Sequence, residues 1–160
     1  MRLDHLNALD AESAAKALIA CCGSTHWAEG MTRARPFVSI DALMATADAV
    51  WTSLEPADWL EAFAAHPRIG ERAGKAGTSA WSAAEQSGVA DDSRDRFLAL
   101  NREYEARFGF VFIVCATGKS GREMLDILER RMRNNPADEL REAAEQQRQI
   151  TRLRLPKLLD

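Results

Sequence analysis

Cysteine is scarce here: Cys21, Cys22 and Cys115 are the only three in 160 residues. An odd count that includes a vicinal pair excludes a disulfide framework, so reduced thiols are expected. Histidine is equally scarce. His5, His26 and His66 are not spaced like zinc ligands, and no metal is expected. No apolar run is long enough to span a bilayer, which argues against a membrane partner. There is no excess of positive charge either. The formal net charge is −3, and the basic residues near the C-terminus are interleaved with acids, so no nucleic-acid partner is expected. Met1-Arg2-Leu3-Asp4-His5 lacks an apolar signal region. Lys157-Leu158-Leu159-Asp160 is not a peroxisomal Ser-Lys-Leu address, and a cytoplasmic location is the expectation. Repeats, low-complexity segments and linkers are absent too.

What is present is helix-forming sequence with clear punctuation. Asp10 reads as the N-cap of a helix over Ala11–Cys22 that Gly23 ends. Ser24 caps a short helix through Trp27 and Met31, stopped before Pro36, and Ser39 starts another. Ile40, Leu43, Met44, Ala47, Val50, Trp51 and Leu54 then recur at helical spacing, the clearest amphipathic stripe in the chain. Pro56 suits a first helical turn, and Trp59, Leu60 and Phe63 line the helix leading to His66. These aromatics read as core, not as a ligand cage.

Further on, Asp91 or Asp92 caps a long helix holding Phe97, Leu98, Leu100, Asn101, Tyr104 and Phe108, closed by Gly109. Ser120 with Glu123 forms a capping box that opens a helix with Met124, Leu125, Ile127, Leu128 and Met132. Asn135-Pro136 restarts the chain as a final helix carrying Leu140, Ala143, Ala144, Ile150, Leu153 and Leu155. One segment breaks the pattern. Phe110-Val111-Phe112-Ile113-Val114-Cys115 has strand-like residues, but no second strand exists to pair with it. Its backbone groups must still be satisfied, and a ligand could complete some of them. The expected architecture is all-α. It is a single-domain helical bundle over residues 1–160, of about seven to nine helices, with one short extended segment beside the active site.

Candidate chemistry starts at Ala65-His66-Pro67-Arg68-Ile69-Gly70. The residue before a proline is pushed out of the α region, which puts His66 on a rigid corner at a helix end. A long polar loop follows, and such loops concentrate binding and catalytic groups. The plainer reading makes His66 a helix C-cap, where a cationic ring is mildly favoured. Glu85 and Gln86 could join it, since a carboxylate can orient and activate an imidazole. Ser82 with Glu85 also matches a capping box, a purely structural role.

At the C-terminal end, Arg152 and Arg154 stand two apart. Residues so spaced on a helix point apart, so at most one serves a given site as an anion anchor. A solvated basic helix end remains the alternative for each. Gly118-Lys119-Ser120 follows an apolar run and precedes a helix, as a phosphate loop would. The motif needs another glycine five positions before Gly118, and Ile113 is there. A nucleotide-binding enzyme thus stays a weaker alternative, beside a non-catalytic helical interaction module.

Taken in order, these residues resemble the 2-oxo-4-hydroxy-4-carboxy-5-ureidoimidazoline (OHCU) decarboxylase family of urate degradation. The match runs from Leu6-Asn7-Ala8-Leu9 through Ala34-Arg35-Pro36-Phe37 to Arg152-Leu153-Arg154-Leu155. Its most specific parts are Ala65-His66-Pro67-Arg68-Ile69-Gly70, Ser82-Ala83-Ala84-Glu85-Gln86 and Arg107-Phe108-Gly109-Phe110-Val111-Phe112-Ile113. Family members often have proline where this chain has Val111. The resemblance implies an all-α, cofactor-free homodimer that converts OHCU to (S)-allantoin with loss of carbon dioxide. It implies His66 as the catalytic acid/base, with Glu85 orienting it or handling the substrate hydroxyl. It further implies substrate contacts from Pro67, Ser82 and Gln86, from the stretch Phe112, Ile113, Val114, Cys115 and Ala116, and from Arg154 as carboxylate partner.

Overall fold

A computed structural model describes residues 1–69 and 90–160, with side chains from residue 93 onward in the second stretch. Eight α-helices are found among the described residues: α1 (Leu3–Ala8), α2 (Ala11–Ile19), α3 (Thr25–Arg33), α4 (Ile40–Thr52), α5 (Pro56–Ala64), α6 (Ala90–Phe108), α7 (Gly121–Arg131) and α8 (Pro136–Leu158). The described residues contain no strand, so the all-α expectation holds.

Contacts divide the chain into two compact units. The first holds Met1–Ala65 and Ala144–Asp160, thus α1 to α5 and the second half of α8. Its helices start where short polar caps stand. Asp10 accepts from the Ser13 N–H at 2.7 Å, Ser24 from Trp27 at 3.2 Å and Ser39 from Ala42 at 3.0 Å. Pro56 occupies the first turn of α5. Leu6, Leu18, Trp27, Met31, Leu43, Phe63 and Leu155 are fully buried in this unit. Trp27 and Trp51 are core, as expected, whereas Trp59 is only half-buried. The Trp27 indole N–H donates to the Ala47 carbonyl at 3.2 Å and the Trp51 indole to the Ala144 carbonyl at 2.9 Å. A buried indole needs such a partner for its one polar atom.

Three expectations for these helices shift. Helix α2 ends at Ile19, not at Cys22, because the Cys21 N–H turns back to the Leu18 carbonyl at 2.9 Å and tightens the last turn. Gly23 serves close packing: a Cβ there would lie 2.6 Å from the Ala65 Cβ. Three residues read as apolar face point outward: Ile40 and Leu153 are 42% exposed and Leu60 41%, whereas Leu155 is fully buried. Helix α1 was not legible as an element. It is a short helix whose end is held by a distant side chain. Arg35 Nη1 donates to the carbonyls of Leu6 at 2.8 Å and Leu9 at 2.6 Å. Asn7 exchanges two hydrogen bonds with the Phe37 backbone, at 2.9 and 2.8 Å.

The second unit holds His66–Ala143, thus α6, α7 and the first half of α8. Helix α6 already includes Ala90, so Asp91 and Asp92 lie inside it and neither stands ahead of it as a cap. Gly109 closes it with φ +82°, a conformation that favours glycine. Ser120 opens α7 through the anticipated capping box, accepting from the Glu123 N–H at 3.1 Å. Phe97, Leu100, Tyr104, Phe112, Val114, Met124, Leu125 and Leu128 form one buried cluster. Residues 111–116 belong to no helix and bury Phe112, Ile113, Val114 and Cys115.

Candidate active site

The residue order around His66 follows from where α5 can stop. The helix ends at Ala64, Ala65 caps it, and Pro67 bars His66 from the α region. His66 is half-buried and Pro67 exposed. The stretch downstream is anchored. Arg68 Nε lies 2.9 Å from both carboxylate oxygens of Glu105 on α6. Ile69 packs against the cluster of α6 and α7. Arg68 and Ile69 are thus fixed within the second unit.

The non-helical segment is built differently from a strand. Two of its carbonyls are taken by cationic side chains: Arg131 Nη1 donates to Ile113 O at 2.6 Å and Lys119 Nζ to Cys115 O at 2.8 Å. Among the described residues, the N–H groups of Phe112, Ile113 and Val114 make no hydrogen bond. All three residues are at most 5% exposed. Buried backbone donors of this kind are almost always satisfied, by protein, water or ligand.

Helix α8 settles how its two arginines differ. Arg152 Nη1 lies 2.7 Å from Asp48, in an ion pair that Arg148 shares at 3.3 Å. Arg154 is half-buried and pairs with no carboxylate among the described residues. Its neighbours are thiols. Burial pushes Cys21 and Cys22 each up to about 11, and the Arg154 charge pulls both back in part. Among the described residues, its guanidinium thus has thiols and no carboxylate as charged or titratable neighbours.

Gly118-Lys119-Ser120 is committed to structure. Gly118, at φ +78°, is the third residue of a turn closed by the Lys119 N–H on Ala116 O at 3.0 Å. The Lys119 amine holds Cys115 O and the Ser120 hydroxyl caps α7. None of these groups is left to cradle a phosphate. Ser82, Glu85 and Gln86 lie outside the described residues. No group of three metal-ligating side chains occurs among the described residues.

A profile of the OHCU decarboxylase family matches residues 7–156. The chain belongs to that family. It is 39% identical over 145 residues to the uric acid degradation bifunctional protein TTL of Arabidopsis thaliana, covering 86% of this chain and 45% of that relative. It therefore spans less than half of that bifunctional protein. Against the 2-oxo-4-hydroxy-4-carboxy-5-ureidoimidazoline decarboxylase of Haloferax volcanii it is 30% identical over 161 residues, covering 97% of this chain and 94% of that one. A crystal structure of OHCU decarboxylase in the presence of (S)-allantoin matches with a TM-score of 0.77 at 36% identity, over 94% of this chain and 99% of the other.

Two of the family-matching stretches turn out to be partners in structure. Leu6-Asn7 and Arg35-Phe37 hold each other through hydrogen bonds. Sequence reasoning missed Arg131, which is fully buried with its carboxylate partner Glu139. Nε and Nη2 of Arg131 reach Glu139 at 2.8 and 2.5 Å, and the Tyr104 hydroxyl donates to the same carboxylate. Burial is the main cause that drives the Tyr104 hydroxyl far above its ordinary pKa. A signal existed: Arg131 continues the stripe Met124, Leu125, Leu128, where an apolar residue would be expected.

Proposed function

We propose that this chain decarboxylates OHCU to (S)-allantoin without a cofactor, as a cytoplasmic homodimer. Family membership supports the reading, and so does one observation within the site. The buried N–H groups of Phe112, Ile113 and Val114 make no hydrogen bond among the described residues, in the stretch where the family resemblance puts substrate contacts. A substrate rich in ureido and ring carbonyls is the complement of such donors.

The chemistry asks for little else. The substrate carboxylate sits next to an imine carbon. When its C–C bond breaks and carbon dioxide leaves, the electron pair passes into the ring. One proton delivered to one face of the ring then gives a single enantiomer. His66 is the group proposed to carry that proton, with Glu85 orienting it or accepting from the substrate hydroxyl. Arg154 is proposed to hold the carboxylate as a charge-assisted pair. Pro67, Ser82, Gln86 and the backbone from Phe112 to Ala116 complete the proposed contacts, and fixed placement supplies much of the rate.

The test generates OHCU in situ from urate and follows the circular dichroism of allantoin, with chelator present. Faster appearance of the (S) signal than in the uncatalysed reaction is expected. No acceleration, or activity that chelator abolishes and one metal restores, would refute the proposal. Nucleotide binding by calorimetry would favour the Gly118-Lys119-Ser120 alternative, and inertness toward OHCU the interaction module. Sedimentation equilibrium reads the oligomeric state.

A further inference from the structure

The segment from Phe112 to Ala116 is oriented by the cations on its carbonyls. A trans peptide is planar, and its C=O and the following N–H point in opposite directions. Arg131 holds Ile113 O at 2.6 Å, so the Val114 N–H is aimed directly away from Arg131. Lys119 holds Cys115 O at 2.8 Å, which aims the Ala116 N–H away from Lys119 in the same manner. Neither N–H makes a hydrogen bond among the described residues. Both are therefore fixed in direction and open to an acceptor.

The grip of Arg131 is itself rigid. Its guanidinium is fully buried, bonded to Glu139 and stacked over the Phe112 ring with 4.5 Å to the centroid. Asn134 Nδ2 donates to the second Glu139 oxygen at 3.0 Å, so the carboxylate cannot rotate without losing a bond. This arrangement is more than the fold requires. An aliphatic pair could fill the same volume at equal or better stability, since a buried ion pair is a costly way to hold a core. What an aliphatic pair cannot do is fix the direction of a peptide plane.

We propose that Arg131 and Lys119 are positioning residues: by holding the Ile113 and Cys115 carbonyls they aim the Val114 and Ala116 amides at carbonyl acceptors of the substrate. The inference rests on the decarboxylase reading above. It deepens that reading by naming the side chains that preset the backbone donors.

Three variants and a control test it, each measured for kcat and KM on OHCU generated in situ, (S)-allantoin affinity, enantiomeric purity and melting temperature. Lys119→Met should raise KM and weaken (S)-allantoin binding by roughly three- to tenfold, the scale of one misdirected hydrogen bond. Lys119→Arg, which keeps a donor for Cys115 O, should restore both to near wild type. Arg131→Met with Glu139→Leu removes both buried charges together, and should weaken binding by roughly tenfold and lower (S) purity even where the melting temperature is kept. Tyr104→Phe perturbs the same cluster without touching Ile113 O, and should move melting temperature but not KM. Wild-type KM, affinity and (S) purity in folded Lys119→Met, and in the double variant if it folds, would overturn the proposal. So would failure of Lys119→Arg to restore what Lys119→Met loses. A wild-type enzyme inert toward OHCU would instead overturn the function itself, and this inference with it.

Discussion

Replacing each of the two α8 arginines by alanine tests whether Arg154 is the proposed anchor, against Arg152 in its surface ion pair. Arg152 already has a carboxylate: its Nη1 lies 2.7 Å from Asp48, with the two side chains 40% and 31% exposed. Solvent screens a pair that open, and such pairs are worth about 0–1 kcal/mol. Asp48 also keeps Arg148 at 3.3 Å when Arg152 is lost. Arg152→Ala should therefore cost a few tenths of a kcal/mol in stability and leave KM near wild type. Arg154 has no carboxylate partner among the described residues, so Arg154→Ala removes no ion pair among them. Its stability should change little. If the guanidinium receives the substrate carboxylate, losing a charge-assisted contact costs about 2 kcal/mol, or about thirtyfold in KM for OHCU.

The product sharpens the test, because (S)-allantoin has lost the carboxylate. Arg154→Ala should weaken OHCU binding far more than (S)-allantoin binding. The assay is kcat and KM on OHCU formed in situ, (S)-allantoin affinity by calorimetry, and melting curves for both variants. Equal losses at Arg152 and Arg154, or a loss for (S)-allantoin as large as for OHCU, would refute the assignment of Arg154 as carboxylate partner.

His66→Asn should stay folded, as a position past the end of α5, while turnover falls by roughly a hundredfold or more; near-normal turnover with full (S) selectivity would return His66 to a helix-capping role. Gly23→Ala places a Cβ 2.6 Å from that of Ala65 and should cost about 1–3 kcal/mol by urea titration, with partial rescue by Ala65→Gly. Burial pushes the Cys21 and Cys22 thiols up to about 11 in the folded chain, against an ordinary thiol value of 9.0. The unfolded chain thus sheds these protons first, and stability should fall as pH rises from 9 to 11, by on the order of 2 kcal/mol for Cys22 and less for the less deeply buried Cys21. Melting temperature against pH reads this directly, and an alkaline limb unchanged in Cys21→Ala/Cys22→Ala would refute it.

Punctuation in the sequence was local, and local signals were legible. Ser24, Ser39 and Ser120 cap helices because a short hydroxyl reaches the N–H three residues on, whatever the rest of the chain does. Gly109 and the Pro after His66 end helices for equally local steric reasons. Misreadings arose where a distant residue decides. Helix α1 depends on Arg35, 29 residues away from the Leu6 carbonyl it holds. The end of α2 was drawn at Gly23, yet that glycine answers to the approach of Ala65 and not to helix termination. Arg154 could be told from Arg152 only by family likeness until Asp48, 104 positions before Arg152, claimed one of them.

The oddest stretch of sequence proved the most informative for the same reason. Phe110 to Cys115 reads as a strand with nothing to pair with, and that conflict between local preference and available partners pointed to a site. Pattern alone could not say which backbone groups would be left over. Carbonyls and amides alternate along any chain, and only side chains from elsewhere decide which are taken. Arg131 and Lys119 take two carbonyls, so amides remain. Had two carboxylates stood there instead, they would have taken the amides and left carbonyls, a surface for a ligand rich in donors. On the proposed reading, the preference for an acceptor-rich substrate traces to the charge of residues that need never touch it.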